Sequence, residues 1–358
     1  MTVQSMLAAV YHGPKDLRVE KYPMPTIDPD EALLRVVSAG ICGTDLRIWH
    51  GAHRQYPAGT IRIPGHEVVG DITQVGANVV GLEVGQRVLV APNMGCGHCR
   101  QCVRGNNNLC PDFRAIGINM DGSFAEYMRI PAAAIWQGNL IPIARETDPA
   151  VAALIEPFAC VLRGQDVLNI RAGDVVLVVG DGPIGLMHVM LARLQGAGRI
   201  VVSGRQPGRL AQALRAGADR AVDARQESLA TVVMELSDGY GADVVIIAAP
   251  AHEAQQEALE LAAVGGRINF FGGLPKDRPT IQFDSNRVHY KELRVTGTTA
   301  CSTNDCWRAA ALINSGRVEL RGLVSTRFPL LEAVAAFAAA EDRKLLKIII
   351  EPRVKEIF

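Results

Sequence analysis

The chain has 358 residues, too many for one ordinary hydrophobic core, so two domains are expected. Lys+Arg and Asp+Glu both number 37, and this zero net charge argues against both a nucleic-acid binder and a solvating acidic tail. Apolar residues at 48% and charged residues at 21% suit a soluble globular protein. The first residues carry no basic segment leading into a long apolar run, and no stretch of about 18 uncharged apolar residues occurs. Neither a signal peptide nor a membrane span is therefore expected, and a cytoplasmic location follows. Eight cysteines, four of them clustered, fit cytosolic thiols and metal ligands.

The first part of the chain is β-like. ALLRVVSAG, HEVVGDITQVG and QRVLVAP are short β-branched runs cut by Gly and Pro, the pattern of an all-β sandwich or small barrel. Around these runs lie Cys42, at the head of the second run His66, and further on Glu156, in CGTD, GHE and EP contexts. Singly, such residues are usually core or surface residues; together they offer sulfur, nitrogen and oxygen donors for a mixed metal site.

The stretch GCGHCRQCVRGNNNLC then places Cys96, Cys99, Cys102 and Cys110 as C-x2-C-x2-C-x7-C. Four thiolates at this spacing can close a tetrahedral shell around Zn²⁺, a structural site with no open position. A disulfide cluster would need an oxidising compartment. An iron–sulfur run of the ferredoxin kind would bring its fourth Cys after three residues, not seven.

The composition shifts near Thr147. DVVLVVG, PIGLMHVMLARLQG, RIVVSG, PGRLAQALRAGA, ADVVIIAAP, AHEAQQEALELAAVGG and RINFFGG alternate strand-like and helix-like patterns. The wholly apolar strands fit a parallel sheet buried on both faces, and repeated βα units build a doubly wound α/β domain. The chain ends with two helical stretches and a strand-like LLKIIIEP.

Gly180-Asp181-Gly182-Pro183-Ile184-Gly185 follows the VVLVV strand and opens a helical pattern, the setting a dinucleotide-binding G-x-G-x-x-G requires. Gly180 permits the tight turn, Gly182 lets the backbone approach a pyrophosphate, and Gly185 allows close helix–strand contact. The next strand ends at Ser203 and Gly204, followed by Arg205 and Arg209, with no carboxylate at the strand end. A hydroxyl and a guanidinium serve a 2′-phosphate, so NADP(H) is expected, with NAD(H) the alternative.

CGTD at 42–45, GHE at 65–67, the four-cysteine loop, EPFACV at 156–161 and GDGPIG at 180–185 occur in one order over nearly the whole length. In this the chain resembles the zinc-dependent medium-chain alcohol dehydrogenases, in particular their polyol branch, whose sorbitol dehydrogenases have Glu-Pro at 156–157. The resemblance implies a GroES-like β-barrel catalytic domain over 1–155, a Rossmann NAD(P)-binding domain over 156–298, and a return to the first domain over 299–358. It implies two zinc ions per subunit: one structural, and one catalytic on Cys42, His66 and Glu156 with Glu67 as ligand or near-ligand. It makes Asp45 the partner of the His66 imidazole, Thr44 the acceptor of the substrate proton, and Lys347 a contact to cofactor phosphate. It also places Phe271, Gly272 and Gly273 beside the nicotinamide.

Several family members have a histidine three residues after the threonine as the end of a proton relay. Here that residue is Arg47, which is no base near neutral pH, so the exit falls to His50, a ribose hydroxyl or water. The implied reaction is reversible oxidation of a secondary alcohol to a ketone, with zinc as Lewis acid and hydride passing to the nicotinamide. Low aromatic content and a carboxylate near the metal lean towards a hydroxyl-rich small molecule such as a sugar alcohol. No phosphate-binding cluster marks the β domain, and no nucleic acid or membrane partner is expected. A homodimer or homotetramer is implied by resemblance. The rival expectations are a zinc-free quinone or enone reductase on the same fold and a non-enzymatic zinc-binding module.

Overall fold

A computed structural model describes residues 4–342 and 344–352. The chain divides into two compact units, one formed by residues 1–159 with 301–358 and the other by residues 160–300. No helix among the described residues is long and apolar enough to cross a membrane.

In the first unit, a hairpin of Ser5–Gly13 and Asp16–Pro23 accompanies a seven-stranded sheet. The central strand of that sheet, Ala32–Gly40, pairs antiparallel with Glu67–Val75, with Tyr127–Ile130 and with the last strand, Lys347–Glu351. Alternating residues of these strands, among them Leu34, Val36, Val68, Ile72, Ile348 and Ile350, enter one buried core. Phe124 and Phe337 meet there edge to face, 5.5 Å between centroids. Register brings three strand ends together: Gly40 faces Glu67 on one side and Ile349 on the other. The residues that follow Gly40, and those that flank Glu67 and Ile349, are thereby gathered at one point. Cys42, His66 and Lys347 are among them.

Asp71 locks this sheet from inside. It is 3% exposed and accepts hydrogen bonds from Arg35 Nη2 at 2.8 Å and Arg87 Nε at 2.9 Å. Burial alone would raise its pKa, but hydrogen bonds from Arg87 and Arg35 reverse this and hold the carboxyl below its usual range. Asp71→Asn is expected to cost about 3 kcal/mol, because two arginines lose their counter-charge in a largely dry site. A carboxyl with a lowered folded-state pKa stabilises above its ordinary pKa and loses that contribution as pH falls through the folded value. The gap between variant and wild type in urea midpoint should therefore be full at pH 7 and close in acid.

The second unit is a six-stranded parallel sheet. Counted along the chain, its strands lie side by side as third, second, first, fourth, fifth and sixth, the doubly wound order of dinucleotide-binding sheets. The first, Val175–Val179, is central, and Val176, Leu177 and Val178 are fully buried, as an all-apolar run between helix layers must be. The α/β class and the doubly wound sheet expected from the sequence are both present.

Candidate active site and cofactor loop

The donor cluster of the first unit is built around one carboxylate. Cys42 is the N-cap of the short helix Gly43–Trp49, and Asp45 in its first turn accepts the Cys42 backbone N–H at Oδ2, 2.8 Å. The other oxygen, Oδ1, faces His66 Nδ1 at 3.5 Å, and Asp45 is wholly buried. Asp45 thus anchors the backbone of one donor and orients the ring of the other, leaving the second imidazole nitrogen to the cluster. Burial disfavours a charged His66, but Asp45 and Cys42 beside it outweigh this and lift its pKa well above the ordinary value. The surroundings that favour a proton there also favour a metal cation.

Ligand atoms of Cys42, His66 and Glu67 lie within 4.8 Å of one another. Glu156, 5% exposed in the first turn of the helix Ile155–Asp166, lies within electrostatic reach of His66, Glu67 and Lys347. Burial pushes its carboxyl pKa up, and the positive charge of His66 opposes this. A soft sulfur donor, an imidazole and the buried Glu67 carboxylate form a donor set that suits zinc, so the residues fit the metal expected there, while Glu156 stands outside that cluster. Thr44 is half-buried nearby, its Oγ1 accepting from Arg47 Nη2 at 3.2 Å.

Two expected residues stand in other contacts. Lys347 is 4% exposed, and its ammonium donates to both oxygens of Glu67, 2.6 Å to Oε1, and to the Ile41 carbonyl at 3.1 Å. All three donors of the ammonium are spent. Burial would lower its pKa, but the Glu67 charge more than restores the protonated form. His50, a candidate relay exit, is engaged instead with Glu341 Oε1 at 2.7 Å. One neighbour of the site escaped the sequence: Cys301 Sγ stands 3.6 Å from Glu156 Oε1, across 145 residues with no motif to announce it.

The four-cysteine loop gathers its sulfurs within 4.8 Å of one another. Backbone N–H groups of Cys99, Cys102 and Cys96 donate to the sulfurs of Cys96, Cys99 and Cys110 at 3.3, 3.5 and 3.2 Å. Cys99 and Cys110 Sγ are 3.8 Å apart. Zn–S bonds of about 2.3 Å in a tetrahedron set an S···S edge of roughly 3.8 Å, so a single zinc ion fits, whereas a disulfide needs about 2 Å. The backbone N–H of Cys102 draws the Cys99 thiol pKa down to about 7, while burial pushes those of Cys102 and Cys110 up.

In the second unit, Gly180 has φ +130°, a conformation costly for any side chain. A Cβ on Gly185 would strike the Gly180 carbonyl. Gly182 is the N-cap of the helix Pro183–Leu194, which has Pro183 at its first position, then Ile184, and no side-chain cap. Its N-terminal N–H groups are left for an anion, and a Cβ on Gly182 would meet only Arg209 Nη1, at 4.0 Å. The loop fits a dinucleotide pyrophosphate with Arg209 beside it. Ser203 is 3% exposed within its strand, while Arg205 is exposed after the strand end. The sequence shows no carboxylate at the strand end itself, but the fold supplies one from elsewhere: Asp181, from the glycine loop, reaches the turn after Gly204.

Comparison with known proteins bears on both sites. The family profile "Alcohol dehydrogenase GroES-like domain" matches residues 28–142, and "Zinc-binding dehydrogenase" matches residues 183–315. The chain is 31% identical to an L-threonine 3-dehydrogenase of Chelativorans sp. (strain BNC1), over 97% of this chain and 98% of that protein. It is also 31% identical to a sorbitol dehydrogenase of Halalkalibacterium halodurans, with the same coverage. Its fold matches that of a Sinorhizobium meliloti 1021 protein described as a zinc-binding dehydrogenase, solved bound to NADP. The TM-score there is 0.90 at 33% identity, over 98% of this chain and 100% of that one. An Escherichia coli CFT073 alcohol dehydrogenase complexed with NADH gives a TM-score of 0.87 at 28% identity, over 97% and 99% of the chains.

Proposed function

We propose that this chain, which belongs to the zinc-dependent medium-chain alcohol dehydrogenase family, reversibly oxidises a secondary alcohol on a small, hydroxyl-rich molecule to the ketone. The observation that carries the proposal is the convergence of Cys42, His66 and the buried Glu67 carboxylate, with Asp45 facing the first two, in a chain that also holds a complete dinucleotide loop. Zinc held by Cys42, His66 and a neighbouring carboxylate would supply Lewis acidity towards the alcohol oxygen, and a dinucleotide on the loop 180–185 would supply the hydride acceptor.

The chain's own residues do the rest. Asp45 fixes the His66 ring and the Cys42 backbone, so neither donor reorganises during turnover. Thr44 Oγ1 accepts the proton of the substrate hydroxyl as it passes its own onward to His50, a ribose hydroxyl or water, and the Arg47 guanidinium at 3.2 Å orients that oxygen without accepting the proton. The buried carboxylates of Glu67 and Glu156 favour a polyol over an apolar alcohol, and sorbitol dehydrogenase is among the relatives. The relatives leave the cofactor open, one holding NADP and another NADH. The test is a panel of polyols, hydroxy-amino acids and simple secondary alcohols, each assayed with NAD⁺ and NADP⁺. Turnover with a polyol supports the proposal, and turnover confined to enones or quinones and resistant to chelators overturns it.

A second, structural zinc on Cys96, Cys99, Cys102 and Cys110 belongs to the same proposal, as do assembly into homodimers or homotetramers and a cytoplasmic site of action. Cys96→Ser should lower the melting temperature by on the order of 10 °C and remove one zinc per chain, with turnover failing only as the fold does. Lost turnover at an unchanged melting temperature would contradict a structural role.

A further inference from the structure

In dinucleotide-binding sheets that take NAD(H), an acid at the end of the second strand accepts the 2′-hydroxyl of the adenosine ribose. Here that strand, Arg199–Gly204, ends in a glycine, which alone suggests room for a 2′-phosphate. The room is filled. A Cβ built on Gly204 would overlap Cβ, Cγ and Oδ2 of Asp181, so the Asp181 carboxyl lies where the first atoms of a strand-end acid would be.

Asp181 is held there. Its Oδ2 accepts the backbone N–H groups of Arg205 and Gln206, both at 2.8 Å. These are the donors of the turn leading into the helix Pro207–Arg215, the groups that would otherwise receive an anion at this corner. The other oxygen, Oδ1, is the acceptor the site offers to a hydroxyl. Of the arginines nearby, Arg225 is paired with Asp223 at 2.7 and 2.9 Å, Arg209 stands beside Gly182 and Arg205 is exposed after the strand end. A 2′-phosphate at this corner would meet the Asp181 carboxylate among them.

Resting on the dinucleotide reading of the glycine loop, we propose that Asp181 selects the cofactor. Its carboxylate accepts the ribose 2′-hydroxyl of NAD(H) from the loop side and repels the 2′-phosphate of NADP(H). The selecting acid has moved from the strand end to the second position of the glycine motif, and Gly204 is the vacancy that lets it lie there. The preference this gives is the reverse of the one suggested by Ser203 and Arg205 in the sequence.

The test is binding, free of catalysis. NADH and NADPH are titrated separately into the zinc-loaded protein and followed by nicotinamide fluorescence. The wild type should bind NADH roughly tenfold or more tightly than NADPH. Asp181→Ser should reverse the order. Asp181→Asn keeps an oxygen for the two backbone N–H groups but removes the charge, and should bring the two affinities to within a few-fold. Tighter NADPH binding by the wild type, or an unchanged ratio in Asp181→Asn, overturns the assignment. Binding of neither nucleotide would instead overturn the dinucleotide reading itself.

Discussion

His66→Ala is expected to abolish turnover, lowering kcat/KM by at least ~10³-fold, or about 4 kcal/mol of transition-state stabilisation, while NADH binding stays unchanged. The expectation follows from the way the donors are held. Asp45 accepts the Cys42 backbone N–H with one oxygen and turns the other to the His66 ring at 3.5 Å, and it is fully buried. In the proposed metal site, removing the imidazole would delete a ligand and leave the Asp45 Oδ1 charge unanswered, so that the remaining sulfur and carboxylate would face the ion without a nitrogen donor. Metal analysis should show one zinc per chain in place of two, since the four-cysteine loop draws on none of these residues. Full turnover in this variant would remove the metal-site assignment. Loss of NADH binding with it would show that the fold, not the chemistry, had failed.

The parts of this protein that were legible in its sequence are those whose chemistry is local. GDGPIG needs only a strand before it and a helix after it, and both are visible in hydrophobic period. The cysteine loop encodes the gathering of its sulfurs in spacing, because the backbone N–H groups of Cys99 and Cys102 reach the sulfur three residues earlier. What the sequence hid depends on strands far apart in the chain. The Lys347–Glu67 pair spans 280 residues and exists because Ala32–Gly40 pairs with both of their strands. A lysine in an apolar strand looks like an edge residue until that register is known. Asp181 was hidden differently: it stood in plain view inside the motif, but the rule for the ribose acid looks about twenty residues further on. Only the packing of Gly204 shows that one position was emptied and the other took its place.

Lys347→Met should destabilise the first unit by about 3–5 kcal/mol, because it leaves the Glu67 carboxylate, with no exposed surface, without its cation. The ammonium binds both Glu67 oxygens and ties the last strand to the Ile41 carbonyl, one residue before the cysteine of the donor cluster. Desolvation of two charges makes such a pair weak as a net stabiliser, yet the loss of one partner alone is costly. A double variant, Glu67→Gln with Lys347→Met, should therefore recover most of the lost urea midpoint, since no buried charge is then left unpaired. Methionine preserves the stem volume and fills the space without adding a donor. The cofactor separates this role from the phosphate contact suggested by the sequence. With every ammonium donor already spent, the folded Lys347→Met protein should bind NADH with an unchanged Kd. A stable variant with weakened NADH binding would return Lys347 to the phosphate, whereas an unstable one rescued by Glu67→Gln fixes it as the counter-charge of Glu67.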